Sequence, residues 1–256
     1  MHKIRVLSIH GAWCGPSHLN TLIESLASQG FPVTSLTLPG HAEGEDPSGY
    51  SLKDYVQAVK KDLDTNGPAI LVGHSMGAFV AQMVATEDSR VLATVLVSPA
   101  GKPFGGFLFG ALLLKRILHP HYWWGMITGN AVRCLDGDLR DLLLNKVEQG
   151  RREHEVRSFG PESGRALLQI ALAQFCIWTK RQKLFGRVLT ICGDTDKTTP
   201  AWLARMIAHS YGSEPLIVRD AGHMLFSEPC ATRVAGHIAR WIKKAVPQAV
   251  VSQAAK

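Results

Sequence analysis

The chain has 256 residues, 46% of them hydrophobic, and a formal net charge of +7. That length and apolar content fit one large domain or a core with an insertion, and exclude a small module held by disulfides. No run of about 18 apolar residues offers a membrane span, and the basic residues are locally dense only around 151–157 and 179–187, which suits a solvated basic face rather than a nucleic-acid site.

The first apolar run, 4–9, predicts a strand, with no apolar leader and small-residue cleavage site before it. A secretory signal is therefore not expected, and the reading is a cytoplasmic protein. The strand runs into His10-Gly11-Ala12-Trp13. A helix over 17–29, a strand over 33–38 and the turn Pro39-Gly40-His41 follow, then a helix over 52–63. The run 69–73 predicts a strand, 76–86 a helix and 91–98 a further strand. After a long interruption the alternation resumes with a strand at 188–192, a helix at 201–211, a strand at 215–218 and a helix at 231–244. Nearly continuous apolar strands alternating with helices predict an α/β fold, a mostly parallel central sheet with helices on both faces.

Between 101 and 185 the rhythm breaks and the chain turns helical and apolar, with helical stretches expected over 138–150 and 164–183. The predicted organisation is thus a discontinuous core, 1–100 and 186–256, an inserted helical cap over 101–185, and a frayed tail over 247–256. The five cysteines, Cys14, Cys134, Cys176, Cys192 and Cys230, show no C-x-x-C spacing. They read as reduced, buried thiols, and no Cys or His spacing suits a metal.

Gly73-His74-Ser75-Met76-Gly77 sits between a predicted strand and a predicted helix. That is the context in which Gly-x-Ser-x-Gly forms a nucleophile elbow: a sharp bend that needs its glycines and holds the serine hydroxyl clear, at the positive end of a helix. A serine hydroxyl is a weak nucleophile and needs a base, which in turn needs an acid to fix its tautomer. In chain order the acid and then the base should follow the serine. His223, in the loop between the last strand and the last helix, is the candidate base. The acid belongs to the loop Gly193-Asp194-Thr195-Asp196, where Asp196 is favoured and Asp194 is read as shaping the turn. The backbone N–H of Met76 and one from the first loop, assigned to Ala12 with Trp13 as the neighbouring alternative, are the candidate oxyanion donors.

With these residues placed, the chain resembles the α/β-hydrolase superfamily, in its serine esterase and lipase-like branch with a helical cap. The matching pieces are His10-Gly11-Ala12-Trp13, Leu38-Pro39-Gly40-His41, the Ser75 pentapeptide, Gly193 through Asp196 to Pro200, and Gly222-His223. Thr37 stands where relatives often carry an acid. The resemblance implies a Ser75–Asp196–His223 triad, an oxyanion hole from Ala12 and Met76, no metal and no organic cofactor. It also implies a small-molecule ester as substrate, cleaved through a seryl acyl-enzyme. Serine at the elbow argues against the dehalogenases and epoxide hydrolases of similar fold, which place an aspartate there. A thioesterase or lactonase would use the same triad, and a non-catalytic binding protein or a lyase are the remaining readings.

The apolar residues of the inserted segment read first as a core between cap and sheet. Read instead as an acyl pocket, its lining would include Phe104, Phe107, Phe109, Leu112, Trp123, Trp124 and Trp178, with Trp13 beside them, and the substrate would be lipophilic. With Lys115 and Arg116, the segment also suits transient contact with a lipid surface.

Overall fold

A computed structural model describes residues 4–100, 119–175 and 186–247. The expected tryptophan at 178 and the expected lining at 104, 107, 109 and 112 lie outside these residues, as does Cys176. In chain order the elements are β1 (Arg5–Ile9), α1 (Asn20–Ser28), β2 (Val33–Leu36), α2 (Leu52–Asn66), β3 (Ala69–His74), α3 (Met76–Glu87), β4 (Val91–Val97), α4 (Pro120–Thr128), β5 (Ala131–Arg133), α5 (Gln149–Ser158), β6 (Pro161–Ser163), α6 (Gly164–Phe175), β7 (Arg187–Gly193), α7 (Ala201–Ser210), β8 (Leu216–Val218) and α8 (Ala231–Ala245).

Six strands form one sheet in the order β2-β1-β3-β4-β7-β8, and every pairing in it is parallel. Burial on both faces explains the apolar runs. Along β1 and β3, Leu7, Ile9 and Leu71 join one core cluster. Val6, Ile70 and Val72 join the other. Side chains of successive strand residues point to opposite faces, so these central strands carry apolar residues on both.

Helices α2, α3 and α7 cover the first face, through Tyr55, Val59, Val80, Leu203 and Ile207 among others. Helices α1 and α8 cover the second, through Leu22, Leu26, Val234, Ile238 and Ile242. These residues recur at three- and four-residue intervals, as a helix packed by one stripe requires. The start of α2 is fixed by reciprocal bonds: Asp54 N–H donates to Ser51 Oγ, and Asp54 Oδ2 accepts from Ser51 N–H at 2.7 Å.

The chain leaves β1 for β2 on one side and returns for β3 on the other. The direction of winding therefore reverses between β1 and β3, and parallel sheets place their crevices at the C-terminal ends of such strands. The described non-glycine residues with positive φ are Trp13, Ser75, Ser98 and Asp220. Each lies within four residues beyond the C-terminal end of a sheet strand. Backbone strain of this kind collects where a fold builds a site.

Residues 119–175 pack over that same edge. Leu139, Leu143, Leu144 and Val156 cluster with Cys14 and Met224, which come from the loops after β1 and β8. Helix α4 packs on α6, and β5 pairs antiparallel with β6. The single helix expected over 138–150 is not formed. The chain instead makes a short helix at Asp136–Asp138 and a π-helical turn at Leu139–Leu143, and α5 starts only at Gln149. At the break, Asp141, Asn145 and Lys146 hold partners on the loops after β7 and β8. Cys14, Cys134, Cys192 and Cys230 are free thiols. Among the described residues no helix is long and apolar enough to cross a membrane.

Candidate active site

Ser75 follows β3 directly and begins α3 with φ 52° and ψ −116°. An L-residue there is strained, so the surroundings must hold it. Ser75 N–H donates to Val97 O at 3.0 Å, while Ser75 O accepts from the N–H groups of Ala78 at 3.0 Å, Phe79 at 3.3 Å and Ala100 at 3.1 Å. The two glycines of the pentapeptide are required sterically. A Cβ on Gly77 would stand 2.2 Å from the carbonyl oxygen of Ile9, and one on Gly73 would stand 2.4 Å from that of Gly77. Both obstacles are backbone and cannot rotate away.

Asp196 and His223 meet as the chain order requires. Nδ1 of His223 lies 2.9 Å from Asp196 Oδ2 and 3.1 Å from Oδ1. Asp196 is 5% exposed and His223 1%. Oδ1 of Asp196 also accepts from the backbone N–H groups of Thr198 and Thr199, each at 2.8 Å. Oδ2 accepts from Thr199 Oγ1 at 2.7 Å. Burial alone would raise the pKa of this carboxyl, but the His223 ring and the two Thr199 donors outweigh it and hold the pKa below the usual carboxylate range. An ionised carboxylate only accepts, so Nδ1 of His223 carries the proton. Nε2 is buried without a hydrogen-bond partner and presents its lone pair.

His74 joins the two halves of the site. It precedes Ser75, its Nε2 donates to His223 O at 3.0 Å, and the two rings are 5.0 Å apart. Burial, with the neighbouring His223, lowers the His74 pKa to about 3, so it remains neutral. Its place inside the pentapeptide was the one signal in the sequence. Asp194, the other aspartate of its loop, accepts from Ala221 N–H at 3.3 Å and so braces the β8 loop.

The loop after β1 is set by two buried contacts of His10. Nδ1 donates to Gly11 O at 3.0 Å and Nε2 accepts from Leu38 N–H at 3.2 Å. Burial, then the nearby His41, lowers the His10 pKa to about 3, which keeps this neutral form. Trp13, at φ 62°, ties the loop to the segment above it. Its indole N–H donates to Val132 O at 2.9 Å and its carbonyl accepts from Gly160 N–H at 2.8 Å.

A cavity lies between this edge and residues 119–175, with about 1000 Å³ of empty space, part of it open to solvent. Ser75, Met76, Ala12 and Trp13 line its base, and Tyr122, Met126, Leu142, Leu143, Leu167 and Ile170 line its walls. Among the described lining residues, α4 contributes Tyr122 and Met126 rather than the expected Trp123 and Trp124. The reason is helical period: Tyr122 and Met126 share the inward face, and Trp124 points outward, 70% exposed. Asp138 also lines the cavity and accepts from Tyr122 OH at 2.8 Å, a polar point on a mostly apolar wall.

A second buried group fastens the upper segment to the core. His41 Nδ1 donates to Pro39 O at 3.1 Å and Nε2 to Glu162 Oε2 at 3.0 Å. Glu162 Oε1 accepts from Tyr55 OH at 2.6 Å and Ser163 N–H at 2.7 Å. Burial alone would lower the His41 pKa, but the Glu162 bond and charge outweigh it and the pKa is raised. A raised folded-state pKa gives stability that is full below the unfolded-state value and is lost as pH rises through the folded value. Glu162→Gln is therefore expected to cost about 3 kcal/mol of stability at mildly acid pH, since it breaks a buried pair. The difference from wild type should shrink in alkaline buffer, as read by denaturant melts across pH. A difference independent of pH would refute the ionic reading.

The sequence model of the alpha/beta hydrolase family matches residues 6–235. A probable lysophospholipase of Arabidopsis thaliana, BODYGUARD 4, is 30% identical over 138 residues, covering 50% of this chain and 31% of that protein. Lipase LipV of Mycobacterium tuberculosis is 32% identical over 99 residues, covering 38% of this chain and 37% of that protein. The chain thus spans about a third of the length of these curated relatives. Among solved structures, the monoacylglycerol lipase of Paleococcus ferrophilus superposes with a TM-score of 0.70 at 20% identity, over 94% of either chain. An Arabidopsis methylesterase gives 0.73 at 15% identity, over 94% of this chain and 99% of its own. These likenesses show the fold.

Proposed function

The chain belongs to the alpha/beta hydrolase family, and from that premise we propose that it is a serine hydrolase that cleaves a carboxylic ester with a lipophilic part. The observation that carries this reading is a Ser75 held at positive φ in the lining of the cavity, joined through its neighbour His74 to a His223 whose Nδ1 lies 2.9 Å from Asp196 Oδ2 and whose Nε2 has no hydrogen-bond partner. In this reading Ser75 Oγ attacks the ester carbonyl and passes its proton to His223 Nε2. The charge that develops on the carbonyl oxygen is met by the backbone N–H groups of Ala12 and Met76. His223 then protonates the departing alcohol, and a water activated by the same base releases the acid.

In this reading residues 119–175 form the described part of the cap. The apolar walls from Met126, Leu142, Leu143, Leu167 and Ile170 support a lipophilic acyl or alcohol group. Trp124 and Ile127 on α4 and Leu172 on α6 are 70%, 68% and 53% exposed on helices that pack together, which supports transient contact with a lipid surface.

The test is turnover by one purified preparation of nitrophenyl esters of graded chain length, acyl thioesters and lactones, alongside labelling by a fluorophosphonate. Ester turnover that rises from short to medium chains, with a single adduct on Ser75, is expected. Faster turnover of thioesters or lactones would move the assignment to those bonds. Failure of Ser75 to react in folded protein would reject a catalytic role altogether.

A further inference from the structure

Two buried oxygens beside His223 lack hydrogen-bond partners: Oε1 of Glu228 and Oδ1 of Asn145. Glu228 follows His223 by five residues and is 3% exposed. Its Oε2 accepts from Gly222 N–H at 2.8 Å. Asn145 comes from the turn that interrupts the expected 138–150 helix, and its amide nitrogen donates to Thr195 O at 2.9 Å. Both unpartnered oxygens press on one spot. A Cβ on Gly222 would stand 2.2 Å from Asn145 Oδ1 and 2.8 Å from Glu228 Oε1.

Two buried acceptors turned to the same spot without a hydrogen-bond partner cost more than a made bond returns. Rotating the Asn145 amide does not help, because its nitrogen would leave Thr195 O and its oxygen would face another acceptor. A proton on Glu228 satisfies both oxygens at once. We propose that Glu228 is held as the neutral acid and donates its Oε1–H to Asn145 Oδ1, so that this pair is a positioning device for His223. The proposal rests on the reading of His223 as the base.

The surroundings agree. Burial raises the Glu228 pKa and the Asp196 charge adds to it, outweighing the backbone N–H groups of Gly222 and Met224 and the nearby His223. The other titratable groups facing Glu228 are Lys146 from the segment above, which is paired to Asp220, and the Cys230 thiol from its own stretch. The same turn is fastened to the loop of Asp196 at further points: Lys197 Nζ to Asp141 Oδ1 at 2.6 Å, and Thr198 Oγ1 to Leu142 O at 3.2 Å. Asn145 therefore bridges the loop of Asp196, through Thr195, and the loop of His223, through Glu228. Because the folded-state pKa of Glu228 is raised, the arrangement is complete below that value and is lost as pH rises through it.

The experiment compares wild type with E228A, E228Q and N145L, and reads steady-state kinetics across pH together with the downfield proton NMR signal of His223 Nδ1–H. E228A and N145L are expected to lower kcat about 10-fold with KM changed less than about 3-fold, and to shift or broaden the Nδ1–H signal. E228Q, whose amide N–H stands in for the carboxyl proton, should restore most of the kcat lost in E228A, restore the signal, and remove the inflection that titration of Glu228 is expected to give the wild-type pH profile. If E228Q loses as much as E228A while its thermal unfolding matches wild type, Glu228 works as a carboxylate and the proposal falls. A wild-type signal and kcat in both E228A and N145L would also overturn it. The NMR signal needs no substrate, so an absence of ester turnover would count against the hydrolase reading without deciding this one.

Discussion

Ser75→Ala is expected to lower ester turnover by about five to six orders of magnitude, the loss found when the nucleophile of such a unit is removed. The substitution deletes the only group that forms the acyl-enzyme in the proposed mechanism. What remains is the cavity, which still binds, and the Ala12 and Met76 N–H groups, which still polarise a carbonyl; together such remnants sustain about a thousandfold over water. The loss must appear in kcat with KM little changed, because the hydroxyl contributes little to holding an apolar chain. Folding should be spared for a structural reason. The Ser75 side chain makes no capping bond to α3, and the strained φ is imposed by Val97 O and by the three N–H groups bonded to Ser75 O, all of which an alanine keeps. Active-site titration with a fluorophosphonate, kinetics and thermal unfolding on one sample check all three statements. A variant that retains more than a hundredth of wild-type turnover would move the chemistry away from Ser75.

The core was legible in the sequence because its physics is periodic. Strands buried on both faces must be apolar throughout, so 69–73 and 188–192 read almost as they fold. The geometry around Ser75 was legible for a different reason: glycines that face backbone at 2.2–2.4 Å leave no other residue at 73 and 77. Residues 119–175 were read less well, because their structure is written in contacts with distant loops. Nothing local in Asp141-Leu142-Leu143-Leu144-Asn145-Lys146 argues against a helix; its partners are Thr195, Lys197 and Asp220, far off in sequence. The β5–β6 pair is three residues on each strand, too short for alternation to show. Its central Glu162 reads as a surface charge until His41 and Tyr55 are placed against it. Glu228 and Asn145 escaped for the same reason. A buried carboxyl that keeps its proton has no sequence signature; only an orphaned oxygen reveals it.

Asp196→Asn should cost about ten-thousandfold in kcat, roughly 5.5 kcal/mol of transition-state stabilisation, whereas Asp194→Asn should cost less than about threefold. The asymmetry follows from which atoms each carboxylate serves. At position 196 the amide has two orientations. One places Nδ2 against the backbone N–H groups of Thr198 and Thr199, now 2.8 Å from Oδ1, and sets donor against donor. The other keeps the oxygen there and turns Nδ2 toward His223 Nδ1, 2.9 Å away at the Oδ2 position. The backbone cannot yield, and Thr199 Oγ1 can turn to accept, so the second orientation prevails. His223 must then accept at Nδ1 and carry its proton on Nε2. The lone pair that should take the Ser75 proton is gone, although no atom has moved far. At position 194 the side-chain bond at stake among the described residues is the one from Ala221 N–H to Oδ1, and an amide oxygen accepts it equally well. Measured kcat for both variants, with the Nδ1–H signal lost in Asp196→Asn alone, is the expected result. A larger loss at position 194 would transfer the acid role to that residue.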